Sequence, residues 1–165
     1  MKVNPNSVAK GKPTLQSSTF ENAEASRAVD GRTDSGFSGN SCSSTNFDAN
    51  GVGTENPWWA VNLEHSYDVA IVQLFNRSDR NCIEQEGGNC MNRLHDVTVE
   101  VLQNEDTVQV IHFAGTVADH KKFMFHATGN VIRVTLNGSS KILTLCEVNR
   151  MNIRERSIMP QHLNI

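Results

Sequence analysis

The chain divides into a polar first third and a later part in which apolar residues recur at strand spacing. From Gln16 to Glu55, Ser, Asn, Gly, Thr and Asp dominate, which is the composition of loops. A loop-rich stretch of this length inside a compact domain is usually functional, or is pinned by a metal ion or a disulfide. The one regular element predicted there is a short helical turn at residues 25–29.

Beyond Trp58 the apolar positions indicate a series of short β-strands. Residues 69–75 form an apolar run of strand length, consistent with burial on both faces. Val97, Val99 and Val101 alternate with polar residues, which is typical of a half-buried strand. Further strands are predicted at 108–113, 123–125 and 131–136. Short strands separated by turn signals, with no long helical period, predict an all-β sandwich or jelly roll.

Length and charge narrow the class of protein. At 165 residues the chain suits one domain with a proper core. A net charge of −3 gives no basic field for nucleic acid or an anionic membrane, and no apolar run reaches the length of a membrane span. Residues 1–6 lack the apolar stretch of a signal peptide, so we expect a mature or trimmed form of an exported protein.

The four cysteines, Cys42, Cys82, Cys90 and Cys146, are widely spaced. No pair has the two-residue spacing of a zinc knuckle, and no paired histidines complete such a site. In a Gly-, Ser- and Asn-rich β-domain, an even number of spread cysteines favours two disulfides formed in an oxidising compartment. The alternative is four buried free thiols. Four cysteines permit three pairings, and spacing alone leaves the choice open.

Three separated phrases resemble the F-type lectin (fucolectin) family of small extracellular sugar-binding domains. They are Ala-Val-Asp-Gly at 28–31, Asn-Pro-Trp-Trp-Ala-Val-Asn-Leu at 56–63, and Leu-Cys-Glu-Val at 145–148. The resemblance spans roughly residues 3–150 and implies a jelly-roll, discoidin-like lectin domain over residues 1–150. Residues 151–165, which contain a proline and mixed charge, are predicted to be a C-terminal tail or linker.

The resemblance implies a structural calcium site. Asp30 and Glu147 would supply carboxylates and Ser41 a hydroxyl oxygen, which are ligands that a hard cation prefers. The main-chain carbonyls would come from Arg27, Arg32 and Cys146. On spacing alone, Asp30 would be an ordinary turn residue and Glu147 a solvent-facing strand residue.

The disulfide pairing also follows from the resemblance. A bond between Cys42 and Cys146 would join the two segments that carry the proposed calcium ligands. The family often has two adjacent cysteines beside the sugar ring, and here an insertion separates them. We expect Cys82 and Cys90 to pair and to staple the longer loop.

A sugar site is implied by the segment Asn-Arg-Ser-Asp at 76–79. Arg77 matches the family's first arginine, Asp79 the aspartate that orients the site's cations, and Arg93 best matches the second arginine. Guanidinium groups suit sugar hydroxyls because they donate several directed hydrogen bonds without needing deprotonation. Without the resemblance, both arginines would be interpreted as solvated surface residues.

Two departures from the family predict a changed ligand. The stretch from Arg80 to Asn92 intervenes between the aspartate and the second arginine, and Ser44 stands where the family has a histidine. The hydroxyl of Ser44 would replace the histidine's bond to the sugar only at shorter reach or through a water. The loop at 46–55 is enlarged and contains no histidine. Phe20 and Phe37 lie where the family's apolar pocket would form. Each can also be interpreted as a core residue, and for Phe20 the two interpretations are equally supported.

We therefore predict a calcium-containing lectin domain that binds fucosylated or related glycans outside the cell. The six histidines are scattered and no acid–base pair is evident, so we expect no enzyme. The competing class is a discoidin-like domain that contacts protein or lipid. Sequons occur at Asn76 and Asn137, and we expect Asn76 to be unmodified if the site works. Oligomeric state stays open.

Overall fold

A computed structural model describes residues 7–82 and 89–151, and within these ranges strands are the main elements. The eight strands are β1 (Thr14–Gln16), β2 (Ser43–Ser44), β3 (Trp58–Phe75), β4 (His95–Gln103), β5 (Asp106–Thr116), β6 (His120–Leu136), β7 (Thr144–Leu145) and β8 (Glu147–Met151). In the same described ranges the short 3₁₀ helices are η1 (Ala25–Val29), η2 (Phe37–Gly39) and η3 (Cys90–Arg93). No helix in the described ranges is long and apolar enough to cross a membrane.

The main sheet has the strand order β1-β3-β6-β4-β5, with β8 added against the far half of β3. The pairing of β3 with β6 is interrupted between Asn62 and Tyr67 and again between Val69 and Ile71. Such irregularities bend strands. The first half of β3 lies between β1 and β6, and its second half lies between β6 and β8. The two halves form the layers of an all-β sandwich.

The core fills the space between these layers and fixes the polar first third against them. Val97, Val99 and Val101 have no exposed surface, which confirms the predicted alternation in β4. Trp59 is also fully buried, and its indole Nε1 donates to the carbonyl oxygen of Ala25 at 2.9 Å. That bond anchors η1, the helical turn predicted at residues 25–29, directly before Asp30.

Several strands are longer than predicted. The run at 69–75 is the end of the 18-residue strand β3, and the strand at 108–113 is the middle of β5. The predicted strands at 123–125 and 131–136 are parts of the single 17-residue strand β6. Met151, assigned to the tail, pairs with Ile71 as the last residue of β8. The remainder of the predicted tail, residues 152–165, lies outside the described residues.

Both predicted disulfides, Cys42–Cys146 and Cys82–Cys90, are present in the structure. The first joins the polar first third to the end of the chain, where Cys146 N–H donates to the carbonyl oxygen of Phe75 at 3.0 Å. Phe75 also pairs with Glu147. The last residues of β3 and the first of β8 therefore lie side by side at one end of the sandwich, where the loops gather.

Candidate functional site

A pocket of about 340 Å³ opens among the loops at this end. Its size is at the lower limit of small-molecule sites. One wall comes from the segment that follows β3, another from the end of η3, and the aromatic rings come from the polar first third of the chain. The lining residues are Phe20, Phe37, Ser38, Phe47, Arg77, Asn81 and Arg93.

Arg77 is held in one orientation by its neighbours. Its Nε donates to Asp79 Oδ2 at 2.9 Å and its Nη2 to Asp79 Oδ1 at 2.7 Å, a bidentate pair. Its guanidinium carbon lies 4.4 Å from the centroid of the Phe37 ring. Only 5% of Arg77 is exposed. The N–H groups of its guanidinium that are not bonded to Asp79 are therefore restricted to few directions.

Asp79 is the residue around which this side of the pocket is organised. Besides Arg77, it accepts from the backbone N–H of Phe37 at 2.7 Å and from that of Asn81 at 3.1 Å. Burial alone raises the pKa of this carboxyl, but the hydrogen bonds from Arg77 and the two backbone groups outweigh burial and bring the pKa below its ordinary value. Asp79 therefore stays ionised and fixes both Arg77 and Phe37.

Arg93 reaches the pocket although the insertion separates it from Asp79 in sequence. The backbone N–H of Cys90 donates to the carbonyl oxygen of Asp79 at 3.3 Å, which places the start of η3 beside the aspartate. Asn89 caps this helix by accepting from Met91 N–H at 3.1 Å. Arg93, at the end of η3, is 6% exposed.

Phe47 was not singled out in the sequence, yet its ring packs against Arg93 in the pocket. Its ring centroid is 5.0 Å from the guanidinium carbon of Arg93, and its ring stacks on Phe20 with centroids 4.1 Å apart. Phe20, interpretable from sequence as core or pocket, belongs to the same wall. The only available signal for Phe47 was a lone aromatic side chain inside the polar loop at 46–55.

Ser44, which was predicted as a sugar-site residue, does not line the pocket. It has no exposed surface, and its hydroxyl donates to the carbonyl oxygen of Thr45 at 3.0 Å. Its own carbonyl oxygen accepts from Phe20 N–H at 3.0 Å. The strand β2 thus turns Ser44 into the interior, beneath the segment that carries Phe20. Arg77, Arg93 and Phe37 do line the pocket, and Asp79 braces it.

A second cluster, which we name the acidic cage, contains Asp30 and Glu147. Asp30 follows η1, and its Oδ1 accepts from Arg32 N–H at 2.7 Å. Glu147 opens β8, is 1% exposed, and accepts at Oε2 from Gly31 N–H at 3.2 Å. Its other oxygen, Oε1, is buried without a hydrogen-bond partner. Burial, with a smaller contribution from the charge of Asp30, raises the pKa of Glu147 to about 8.

The donor set of the acidic cage fits a divalent cation. Two carboxylates lie close enough to repel each other, and one buried carboxylate oxygen has no donor. Hard oxygen ligands on irregular loops are what calcium binds. The predicted carbonyl donors, those of Arg27, Arg32 and Cys146, lie on these same segments. Ser41 is buried beside Cys42, and its hydroxyl donates to the carbonyl oxygen of Gly36 at 2.9 Å.

The sandwich and its loop-end pocket define a carbohydrate-binding domain of the galactose-binding type. The family model described as a NedA-like, galactose-binding domain matches residues 27–140. Fucolectin of Anguilla anguilla is 31% identical over 150 residues, covering 87% of this chain and 88% of its own length. The chain belongs to the F-type lectin (fucolectin) family.

Solved structures agree with this assignment. The lectin domain of lectinolysin, complexed with Lewis B antigen, superposes with a TM-score of 0.78 at 30% identity, covering 90% of this chain and 98% of that one. A fucose-binding module of Streptococcus pneumoniae gives 0.76 at 27% identity, covering 93% and 100%. These relatives are lectin and sugar-binding domains, so the chain is a non-catalytic lectin domain.

Proposed function

We propose that this protein is an extracellular, calcium-containing lectin domain whose pocket binds a terminal fucose or a related sugar through Arg77 and Arg93. The observation that carries the proposal is the placement of two guanidinium groups, each over nine-tenths buried, around one apolar pocket. The guanidinium donors match sugar hydroxyls and the ring oxygen, and the phenyl rings match the apolar face of a sugar. Asp79 fixes the geometry in advance, which reduces the entropy cost of binding.

The relatives supply the candidate sugars. Lewis B antigen is bound by the lectin domain of lectinolysin, and the pneumococcal module is described as fucose binding. The family model is described as galactose binding, which makes galactose the second candidate. A relative from striped bass serum and the two disulfides support an extracellular location. We assign the lectin domain to residues 1–150, with Met151 completing its last strand.

The absence of the family's histidine shifts the expected ligand from free fucose to a larger glycan. Ser44 is buried and cannot replace the lost hydrogen bond. Losing one neutral hydrogen bond costs about 0.5–1.5 kcal/mol, or up to roughly tenfold in affinity. Phe47 contributes apolar contact instead. Free fucose is therefore a weak ligand, and additional sugars restore affinity.

Calcium would be held by Asp30, Ser41 and Glu147, together with the carbonyl oxygens of Arg27, Arg32 and Cys146. The ion would supply a positive charge where the fold places two carboxylates together. Two observations support this calcium site. Oε1 of Glu147 is buried without a hydrogen-bond partner, and one loop joins the acidic cage to the pocket. The loop from Asp30 to Ser41 carries Phe37, whose N–H bonds to Asp79.

A glycan array in calcium buffer, with free fucose and free galactose as competitors, tests this proposal. Arg77→Lys keeps the positive charge but removes the planar guanidinium and its paired donors. We therefore expect this variant to show little binding on the array. Arg133→Lys is the matched control, because Arg133 forms a similar bidentate pair with Glu100 outside the pocket. Unchanged binding by Arg77→Lys would place the sugar elsewhere. Absence of any glycan signal would favour the protein- or lipid-binding alternative.

A further inference from the structure

A second pocket, of about 390 Å³, adjoins the first on the other side of Arg93. Arg93 lines both pockets, so a ligand that extends past this side chain can enter the two together. The walls differ in chemistry. Three phenyl rings dominate the first pocket, whereas hydroxyl, amide, imidazole and ammonium groups dominate the second. These polar groups belong to Asn92, His95, Ser139, Ser140 and Lys141.

Backbone hydrogen bonds to Thr54 fix the position of Lys141 in the second pocket. Its N–H donates to the carbonyl oxygen of Thr54 and its carbonyl oxygen accepts from Thr54 N–H, both at 2.9 Å. The approach depends on Gly53, where an added Cβ would lie 2.0 Å from the carbonyl oxygen of Lys141. The enlarged loop that supplies Phe47 to the first pocket therefore also fixes Lys141 in the second.

The ammonium group of Lys141 contacts His95 and interacts electrostatically with the carboxylate of Asp96, whose pKa it helps to lower. Its Nζ lies 3.3 Å from Nε2 of His95, a neutral acceptor when the ring proton is on Nδ1. Nδ1 of His95 in turn lies 3.1 Å from Oδ2 of Asp96, whose Oδ1 accepts from the N–H of Gly115 at 2.9 Å. Within residues 7–82 and 89–151, Lys141 forms no ion pair.

We propose that this second pocket is a subsite for an acidic group on the sugar next to the terminal one, and that Lys141 determines this specificity. The inference rests on the proposed function of the first pocket. A carboxylate of a sialic acid or a sulfate ester would meet the ammonium group of Lys141, and none of the described residues that line this pocket carries a carboxylate. Charge-assisted hydrogen bonds of this kind are stronger than neutral ones. The serine hydroxyls and Asn92 would bind neutral parts of the same sugar.

The test compares three glycans that share one terminal fucose and differ at the neighbouring residue. One is neutral, one carries a sulfate ester, and one carries a sialic acid. Titration calorimetry in calcium buffer should show that at least one acidic glycan binds about three- to tenfold more tightly than the neutral one, with a smaller advantage at high salt. The two acidic ligands separate sulfate from carboxylate recognition.

Lys141→Gln should weaken the acidic glycans more than the neutral one and so remove the acidic preference, and Lys141→Arg should retain the preference. Lys122→Gln is the matched control, because it removes the same charge from an exposed position on β6. Equal affinities for all three glycans, or a preference that survives in Lys141→Gln, would overturn the subsite alone. No binding of any of the three glycans would also overturn fucose as the sugar of the first pocket.

Discussion

Arg77 and Glu147 are buried charges at the same end of the sandwich, yet they have opposite surroundings. Phe75, two residues before Arg77, pairs directly with Glu147. The guanidinium of Arg77 has a bidentate carboxylate partner, whereas Oε1 of Glu147 has none. An unpaired buried charge is costly, and its pKa shifts accordingly. The pocket is therefore preorganised by protein groups alone, while the acidic cage requires a proton or a cation.

The loop from Asp30 to Ser41 connects these two regions. It begins in the acidic cage, and Ser35 contacts the segment after β3, where Ser78 N–H donates to its carbonyl oxygen at 3.0 Å. Phe37 then reaches Asp79 through its backbone N–H. We expect a disturbance of the cage to affect both stability and the pocket, and a disturbance of the pocket to affect binding alone.

The largest expected effect is loss of the Cys42–Cys146 disulfide on the cage side. Replacing both cysteines by Ala opens a loop with a sequence separation of 104, worth about 4–5 kcal/mol in the chain-entropy model. Replacing Cys82 and Cys90, with a separation of 8, removes about 2.5 kcal/mol by the same relation. Urea unfolding measures both changes. Equal losses would contradict the view that the cage side carries the greater constraint.

Calcium removal is the next largest effect and should depend on pH. A ligand present at 100–1,000 times its Kd stabilises by about 3–4 kcal/mol, which corresponds to about 5–15 °C in Tm. Without the ion, the folded pKa of Glu147 is about 8 against an ordinary 4.5, so the chelated protein loses stability as the pH rises through this range. The gap between calcium and chelator melts should widen from pH 5 to pH 8.

Glu147→Gln provides the control for that experiment, because it removes the titrating charge while keeping the shape. Its Tm should be insensitive to chelation and should lack the decline with pH. Coincident melting curves of the unmodified protein at pH 8, with and without chelator, would eliminate the calcium site.

On the pocket side, Arg77→Lys should weaken glycan binding without a comparable loss of stability. Hydrogen bonds that involve charged groups contribute about 1.5–3 kcal/mol, so the affinity should fall roughly ten- to hundredfold. Calorimetric titration measures the affinity, and Arg133→Lys reports the effect of losing a similar pair elsewhere. If Arg77→Lys lowered the Tm as much as chelation does, the pocket and the acidic cage would not differ in their effect on stability.

The smallest expected effect on glycan affinity concerns Phe47, whose ring packs against the guanidinium group of Arg93. Phe47→Leu keeps an apolar side chain and removes the aromatic face, whose interaction with a guanidinium is worth about 0.5–2 kcal/mol. Affinity for the preferred glycan should fall about two- to thirtyfold. Val52→Ala, in the same loop but on an exposed side chain, controls for changes in loop packing. Unchanged affinity would remove Phe47 from the binding surface.

The sheet was predictable because its strands follow local rules. The alternation at Val97, Val99 and Val101 reports which side chains enter the core, and the structure buries all three. The extent of β6 was missed because two of its inward positions between Phe125 and Ile132 are Ala127 and Gly129, which give a weak apolar signal. The polar residues between them lie on the outer face of a continuous strand.

The site was predictable only where it resembles a family pattern. Arg77, Asp79 and Arg93, which the structure brings together, could be singled out only through the family resemblance, because dispersed ligands have no local signature. The contribution of Phe47 depends on its stacking with Phe20, a tertiary contact that spacing does not encode. The burial of Ser44 likewise depends on the segment that covers it.

The sequon at Asn76 has a consequence for how the protein is made. Its side-chain amide donates to the carbonyl oxygens of Met91 and Val117 at 2.9 and 2.7 Å, and the residue has no exposed surface. A chain that carries an oligosaccharide on this nitrogen cannot form both bonds or close around it. In a host that glycosylates sequons, folding therefore competes with glycosylation. Active protein comes only from chains that bury Asn76 before the transferase modifies it. Yield should consequently rise when Ser78→Ala removes the acceptor sequence.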